Sequence, residues 1–194
     1  MTAFVLGNGI SRQAIDNTAL ITLGTVYGCN ALYRTFTPNV LIATDSPISK
    51  AIQESGYSKI NRFYTRRPID NLGALMIPKP YFGFSSGPAA TAIAALDQHA
   101  QIYLLGFDMG PDTAGQFNNL YAGTEFYKPR GATPTFTGNW CKQLKIIAEN
   151  FKSQQFYRVC GDTTARIDDL ESIPNLKHLP IADFIARINT RKDL

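Results

Sequence analysis

The 194-residue sequence predicts one α/β domain of Rossmann-like build over residues 1–194, a mainly parallel sheet with helices on both faces. Short apolar runs alternate with segments of helical periodicity along the chain, as βαβ units require. Apolar residues make up 44% and charged residues 18%, which indicates a folded core rather than a disordered chain. Several apolar runs also end in glycine or a small polar residue, which is typical of the ligand-binding edge of such a sheet.

The first predicted strand, residues 3–6, ends in a tight turn. Gly7-Asn8-Gly9 follows it, and Ser11 is the predicted N-cap of a short helix that runs to about Asp16. Three more strands are predicted from apolar and β-branched residues, over 20–27, 40–44 and 60–64.

Two helices are predicted from their N-terminal signals. Pro47 opens a helix over residues 48–54, because its fixed φ suits the first helical turn. The stretch Ser85-Ser86-Gly87-Pro88 precedes an alanine-rich helix over residues 89–96, whose small side chains allow close packing on a sheet. Between the two helices, residues 66–84 are expected to be loop-rich, because prolines interrupt every short apolar run there.

The second half of the chain contains the strongest predicted strand, residues 102–105, a continuous apolar run that indicates a central parallel strand. Residues 109–138 are too rich in glycine, proline and asparagine for an ordinary connection. We expect them to form a lid over the site, with a mobile loop as the alternative. The remaining predicted elements are a helix over 140–151, a strand over 156–159 and a helix over about 181–189.

The charge pattern favours anionic ligands without indicating nucleic acid. The formal net charge is +4, but the basic residues are scattered. The pair Arg66-Arg67 favours a solvated surface, with a phosphate clamp as the alternative. Cys29, Cys141 and Cys160 lack the spacing of a redox motif or a metal site, which favours buried free thiols in a reducing compartment.

The sequence also predicts where the protein resides. No apolar run approaches the ~20 residues of a membrane span, and the first strand begins almost at Met1, which leaves no room for a signal peptide. We therefore expect a soluble, cytoplasmic protein and leave a homo-oligomer open. No metal site, nucleophile elbow or phosphate-binding P-loop is predicted.

The predicted ligand site lies at the polar strand ends. Gly7-Asn8-Gly9 allows close backbone approach to a ligand, although such a turn also serves structure alone. The complete dinucleotide motif is absent because Arg12 replaces its last glycine. Asn30 stands where a nicotinamide site requires an acidic residue, so it argues against that cofactor and suits a nucleobase edge or a ribose hydroxyl.

Two further positions extend this site. Ser86 and the N–H group of Gly87 are suited to a phosphate or carboxylate at a helix N-terminus, and helix capping by serine is the compatible structural reading. Asp108 directly follows the strongest strand, where a carboxylate caps a turn or binds a ligand hydroxyl. We favour the hydroxyl.

Four short stretches between about residues 3 and 160 occur in an order and spacing known from one family. They are Leu6-Gly7-Asn8-Gly9-Ile10-Ser11, Cys29-Asn30-Ala31-Leu32-Tyr33, Ser85-Ser86-Gly87 and Leu105-Gly106-Phe107-Asp108. Together they resemble the bacterial sialyltransferases of glycosyltransferase family 42 and related Rossmann-like proteins.

The resemblance implies a donor that is a sugar activated by cytidine monophosphate (CMP), with its nucleotide bound at the strand ends. It adds Asp45, where the family often has asparagine, and Tyr121, as one of the tyrosines that hold the leaving phosphate. The predicted ligand-binding residues are Asn8, Gly9, Asn30, Asp45, Ser86, Gly87, Asp108 and Tyr121.

The sequence departs from the family pattern in its catalytic residues. The family's histidine is missing from residues 133–138, its arginine is replaced near Gly83, and a second tyrosine corresponds to Gly110. His99 and His178 are expected to have surface or capping roles, so no catalytic residue is assigned.

Two functions remain open at this point. One is a nucleotide-sugar-binding protein or sialyltransferase-like glycosyltransferase. The other is a catalytically inactive binding or assembly module, for example a component of a larger particle such as a virion.

Overall fold

Parallel strands form one sheet in the computed structural model, which describes residues 1–190. Residues 191–194, the end of the predicted domain, lie outside the described residues. The strands found in residues 1–190 are β1 (Thr2–Leu6), β2 (Thr25–Cys29), β3 (Val40–Ala43), β4 (Arg62–Thr65), β5 (Leu75–Met76), β6 (Gln101–Leu105), β7 (Gln155–Cys160) and β8 (Leu176–Pro180). Their order across the sheet is β5-β4-β3-β2-β1-β6-β7-β8, and each neighbouring pair is parallel.

Helices cover both faces of the sheet. They are α1 (Asn17–Ile21), α2 (Ser46–Glu54), α3 (Tyr57–Ile60), α4 (Ser86–Leu96), α5 (Gly138–Asn150), α6 (Asp168–Glu171) and α7 (Ile181–Thr190). One apolar core lies between the sheet and helices α4, α5 and α6, and a second lies between the opposite face and helices α1, α2 and α7.

The predicted fold class is confirmed, because the central strands are buried on both faces. All five residues of β1 are buried, as are Ile102–Leu105 of β6. Continuous apolar runs therefore form the middle of the sheet, as expected for parallel strands between two helical layers. The alanine-rich helix α4 packs against β1, β2, β3 and β6, which its small side chains permit.

Several predicted boundaries are wrong. Leu20 belongs to α1, which the Asp16 carboxylate caps through the Thr18 N–H at 2.9 Å, so the second strand begins only at Thr25. The first predicted helix is a 3₁₀ turn over Ile10–Ala14, with Gly9 rather than Ser11 at its N-cap. The predictions also missed α3, β5, α6 and β8 and started β4 two residues early, at Ile60, which belongs to α3.

The order of the strands creates a switch point between β1 and β6. The chain moves outward from β1 to β5, returns through α4 to β6 beside β1, and then moves outward on the other side. The helices that follow these two strands, α1 after β1 and α5 after β6, pack on opposite faces of the sheet, which leaves a crevice at its carboxyl edge.

The segment between β6 and α5 lies over this crevice. Its lid portion, residues 109–138, contains no strand, and its only helical residue is Gly138, which begins α5. It is hydrogen-bonded to the loop after β1, where Leu120 N donates to Asn8 O at 2.8 Å and Ile10 N donates to Asn118 Oδ1 at 2.8 Å. Ordered contacts thus hold the lid against the site.

Among residues 1–190, no helix combines the length and the apolar character needed to cross a lipid bilayer.

Candidate functional site

A cavity of about 440 Å³ opens at the switch point between β1 and β6. Its size falls within the usual range of small-molecule sites. The loops after β1, β2, β3 and β6 contribute to it, together with the start of α4 and the lid. Seven of the eight predicted residues line it, namely Asn8, Gly9, Asn30, Asp45, Ser86, Gly87 and Asp108, and Tyr121 does not.

Glycines allow the loops after β1 and β6 to pack directly against each other. A Cβ atom on Gly7 would lie 2.7 Å from the carbonyl oxygen of Gly106, and one on Gly9 would lie 2.6 Å from Cγ of Asp108. Gly106 itself has a φ of 69°, in the left-handed region that glycine adopts freely. The Gly-x-Gly pattern is therefore required by the contact between the two loops.

Two buried arginines hold these loops from behind. Arg12 Nε donates to Gly7 O at 2.7 Å, while Arg158 donates to the carbonyl oxygens of Phe107, Ala165 and Asp108 at 2.9 Å each. Burial lowers the pKa of both guanidinium groups, and a guanidinium remains charged in proteins nonetheless. The charges therefore fix backbone carbonyls rather than point into the cavity.

The Asp108 carboxylate is occupied by groups of the protein. Oδ2 accepts from Ser11 N at 3.0 Å, Asn118 Nδ2 at 3.0 Å and Thr163 Oγ1 at 2.7 Å. Oδ1 accepts from Ser11 Oγ and, at 3.3 Å, from Thr164 Oγ1. Because a carboxylate offers about four lone-pair sites, none remains for a ligand hydroxyl. Asp108 instead joins the loops after β1, β6 and β7 to the lid.

Asn30 and Ser86 form a pair in which only Asn30 faces outward. The Ser86 hydroxyl donates to Asn30 Oδ1 at 2.9 Å and lies within hydrogen-bond distance of both N (3.0 Å) and Oγ1 (2.9 Å) of Thr44. One donor and two acceptor sites are thus used, so the hydroxyl is saturated. Asn30 has a φ of 51°, and its Nδ2 makes no hydrogen bond within residues 1–190. Ser86 therefore positions Asn30 and leaves its amide donor free.

Asn8 presents the complementary group. Its Nδ2 donates to the Tyr127 hydroxyl at 3.3 Å, which also accepts from Ala31 N at 3.3 Å. Its Oδ1 is buried and has no hydrogen-bond partner among the described residues. A buried acceptor without a partner costs about 1–3 kcal/mol, which a hydrogen-bond donor offsets.

The tyrosine of the lid that reaches the cavity is Tyr127, not Tyr121. The Tyr121 ring packs against that of Tyr127 with a centroid separation of 5.8 Å, and its hydroxyl lies 3.4 Å from Thr35 Oγ1. Burial raises the pKa of Tyr127 to about 12, so its hydroxyl is neutral at physiological pH. Of these two lid tyrosines, only Tyr127 is placed to contact a molecule in the cavity.

The start of α4 forms one wall. A serine occupies the N-cap as predicted, but this residue, Ser85, makes no side-chain capping bond. The first N–H groups of an α-helix have no intrahelical acceptor and attract anions. Gly87 lets this wall pack closely on Phe107, because a Cβ atom there would lie 3.2 Å from the Phe107 ring.

The predicted set of ligand-binding residues omits several residues that line the cavity. Phe126 and Trp140 supply aromatic surface, Lys128 supplies a positive charge and Cys29 lies at the end of β2. Burial raises the pKa of Cys29 to about 12, which makes its thiol unreactive at neutral pH. The density of aromatic residues in the lid was the available signal, but it did not tell the cavity-facing rings from the others.

Groups for acid–base chemistry are few. Neither histidine lines the cavity: His99 contacts Tyr27 at 3.0 Å, and His178 lies on β8 beside Cys160. Asp45 is exposed, and within the described residues its carboxylate accepts no hydrogen bond. It is thus the free carboxylate of the cavity lining.

The departures from the family pattern have local explanations. Gly110 lines the cavity, and a Cβ atom there would lie 2.7 Å from Cβ of Ala165, so a tyrosine does not fit. The backbone near Gly83 is bound by an arginine from another segment, because Arg66 donates to the carbonyl oxygens of Phe82, Gly83 and Phe84.

Comparison with known proteins finds no family model, no curated protein and no solved structure that matches this chain.

Proposed function

We propose that the cavity at the switch point binds a nucleotide, and specifically the nucleotide part of a CMP-activated sugar. The observation that carries the proposal is the pair of unused amide groups on Asn8 and Asn30. One is a buried acceptor and the other a free donor, and both side chains are held by protein hydrogen bonds. A nucleobase edge or a ribose diol supplies the matching donor and acceptor.

The wall formed by α4 suits the phosphate. N–H groups at the start of an eleven-residue helix offer donors and the positive end of the helix dipole. Lys128 and the neutral Tyr127 hydroxyl lie on the same lining and add a cation and a polar contact. An anionic ligand therefore finds complementary charge without a metal ion.

The aromatic wall suits the base. Phe126 and Trp140 line the cavity, and planar rings stack on a nucleobase with about 1–3 kcal/mol of stabilisation per base. Phe126 is also ordered by Arg34, whose guanidinium lies 5.8 Å from the ring centroid.

Transfer of the sugar, as in sialyltransferase-like enzymes, is the activity that this site would support. Inverting transfer requires a base for the acceptor hydroxyl and donors for the departing phosphate. The described lining offers the donors at α4 and a single free carboxylate, Asp45. The second candidate is a module that binds a nucleotide without transfer, and the observation behind it is that neither histidine lines the cavity within the described residues.

A thermal-shift panel of cytidine, uridine, adenosine and guanosine monophosphates tests the proposal. A ligand at 100 times its Kd stabilises the fold by about 2.7 kcal/mol, which raises the Tm of a chain of this size by roughly 5–10 °C. We expect the largest shift with CMP.

The variants Asn30→Ala and Ser86→Ala locate the site, since one loses the donor and the other loses its positioning. Asn189→Ala and Ser153→Ala are matched controls, because both side chains are exposed and lie outside the cavity lining. Equal responses of all variants, or no response to any nucleotide, would refute the proposal. CMP release from a CMP-sugar then separates transfer from binding.

A further inference from the structure

A second cavity of about 350 Å³ lies beside the first, at the carboxyl ends of β3 and β4. Nine of its ten lining residues are polar or charged, and three of these are basic. The residues that line it are Thr44, Asp45, Ser46, Ser49, Lys50, Gln53, Thr65, Arg66, Arg67 and Ile69.

The floor of this second cavity is a buried polar network that satisfies itself. Ser49 Oγ lies 2.5 Å from Thr65 Oγ1, and Gln53 Nε2 donates to Ser49 O and Arg67 O at 3.2 and 3.3 Å. Gln53 Oε1 accepts from Ile69 N at 2.7 Å. This network thus fixes the backbone at Arg67 and does not need a ligand to complete its hydrogen bonds.

The basic groups stand at the mouth. The Arg67 guanidinium makes no hydrogen bond or ion pair within the described residues, although the Arg67 backbone is bound on both sides. Arg66 uses Nε and one terminal nitrogen for carbonyl oxygens, which leaves its other terminal nitrogen free. Lys50 is only loosely paired with Glu54 at 3.6 Å, and both side chains are exposed. Two arginine forks with unused N–H groups match an anionic oxo group.

The two cavities share a wall. Asp45 lines both, and Thr44, on the second cavity, is hydrogen-bonded to Ser86 on the first. A ligand in each cavity would therefore meet at Asp45.

We propose that the second cavity binds the anionic group, a phosphate, sulfate or carboxylate, of the acceptor that receives the sugar. The assignment rests on the proposed function of the first cavity. It makes the acceptor an anionic molecule whose reacting hydroxyl lies at Asp45, between the two sites.

The transfer step follows from this arrangement. The acceptor hydroxyl oxygen forms a bond to the anomeric carbon, and the bond from that carbon to the phosphate oxygen breaks. The electron pair of the broken bond leaves with CMP, and the hydroxyl proton passes to the Asp45 carboxylate. General-base catalysis of this kind contributes about 10²–10⁴-fold to a rate.

Titration with inorganic phosphate, followed through ¹H–¹⁵N amide shifts at constant ionic strength, locates the anion without any nucleotide. We expect shifts at Ser46, Arg67 and Ile69, and about a tenfold weaker Kd in Arg67→Glu. Lys152→Glu, an equal charge change at an exposed position outside both cavities, is the control. Phosphate that shifts the start of α4 instead, or binds Arg67→Glu as well as wild type, overturns the inference while leaving the nucleotide site intact. Phosphate binding at Arg67 without any nucleotide response leaves the anion site standing and refutes the proposed function.

Transfer from CMP-sialic acid to galactose 6-phosphate, compared with galactose, tests the acceptor role. We expect kcat/KM to be at least about tenfold higher for the phosphorylated sugar, and Arg67→Glu to lose this preference. Asp45→Asn should lower the transfer rate to both sugars while retaining phosphate binding. Equal use of both sugars, or no transfer to either, overturns the acceptor role. Weaker binding of CMP-sialic acid relative to CMP in Arg67→Glu would assign the second cavity to the donor's carboxylate instead.

Discussion

Replacing Asp108 with asparagine separates a structural role of this carboxylate from a role in ligand binding. The side chain accepts five hydrogen bonds, three at Oδ2 and two at Oδ1. The two donors at Oδ1 are the hydroxyls of Ser11 and Thr164, which can rotate and accept. We therefore expect the new amide nitrogen to take the Oδ1 position and leave the bonds at Oδ2 in place.

The expected loss of stability follows from the three hydrogen bonds that remain at Oδ2. Each changes from a charged to a neutral acceptor, which loses about 1 kcal/mol, so the variant should be about 3 kcal/mol less stable. For a chain of this size that corresponds to a Tm lowered by roughly 6–12 °C.

Urea unfolding and calorimetry measure this change, and calorimetric titration with CMP at 15 °C measures binding by the folded fraction. Asp162→Asn is the control, because that side chain is exposed and makes no hydrogen bond within the described residues. We expect Asp108→Asn to bind CMP within about threefold of wild type, which is less than 1 kcal/mol. An unchanged Tm together with a large loss of CMP affinity would refute the structural role and show that the carboxylate binds the ligand.

Three further predictions concern single groups. Asn30→Asp keeps the acceptor for Ser86 but removes the free donor. CMP affinity should therefore fall by about tenfold or more in a calorimetric titration, with the Tm nearly unchanged. Undiminished affinity would exclude the donor role. Burial raises the pKa of Cys29 to about 12, so its thiol should resist iodoacetamide at pH 8 in the folded chain and react after unfolding. Mass spectrometry measures the modification. Rapid modification of the native chain would contradict the burial of Cys29. Burial opposes ionisation of Asp97, but hydrogen bonds from Arg62 and the Tyr27 hydroxyl outweigh it and lower its pKa. Because its folded-state pKa is lowered, the ionised carboxylate stabilises the fold above the unfolded-state pKa of about 3.9. This stabilisation is lost as the pH falls through the folded-state pKa. Urea unfolding of Asp97→Asn should therefore show a deficit at pH 7 that shrinks toward pH 3, and a deficit independent of pH would argue against the ion pair.

The sequence predicted the central part of the fold because burial on both faces leaves a plain pattern. The continuous apolar run of β6 and the alanine-rich α4 have few alternatives to a buried strand and a packed helix. The short α1 was mistaken for a strand because its Leu20-Ile21 pair resembles one, and only the cap at Asp16 indicated otherwise. The edge strand β8 buries only Leu176 and Leu179, so it lacks the alternating pattern of a half-buried strand, and it ends at Pro180, which weakens its signal further.

Positions in the site were predictable where the fold fixes them, at strand ends and at a helix start. The direction in which each polar group points was not. Saturation of the Ser86 hydroxyl depends on Thr44 and Asn30, which come from two other strand ends. The choice between Tyr121 and Tyr127 depends on the path of a lid without periodicity, so sequence patterns carry no information about it.

The two buried arginines have an electrostatic consequence for the first cavity. Within the described residues, neither Arg12 nor Arg158 forms an ion pair, so two positive charges are enclosed just behind the loops that line the first cavity. Enclosed charges are screened by dissolved ions much less than exposed ones such as Arg67. Raising the ionic strength should consequently weaken phosphate at the second cavity more than CMP at the first.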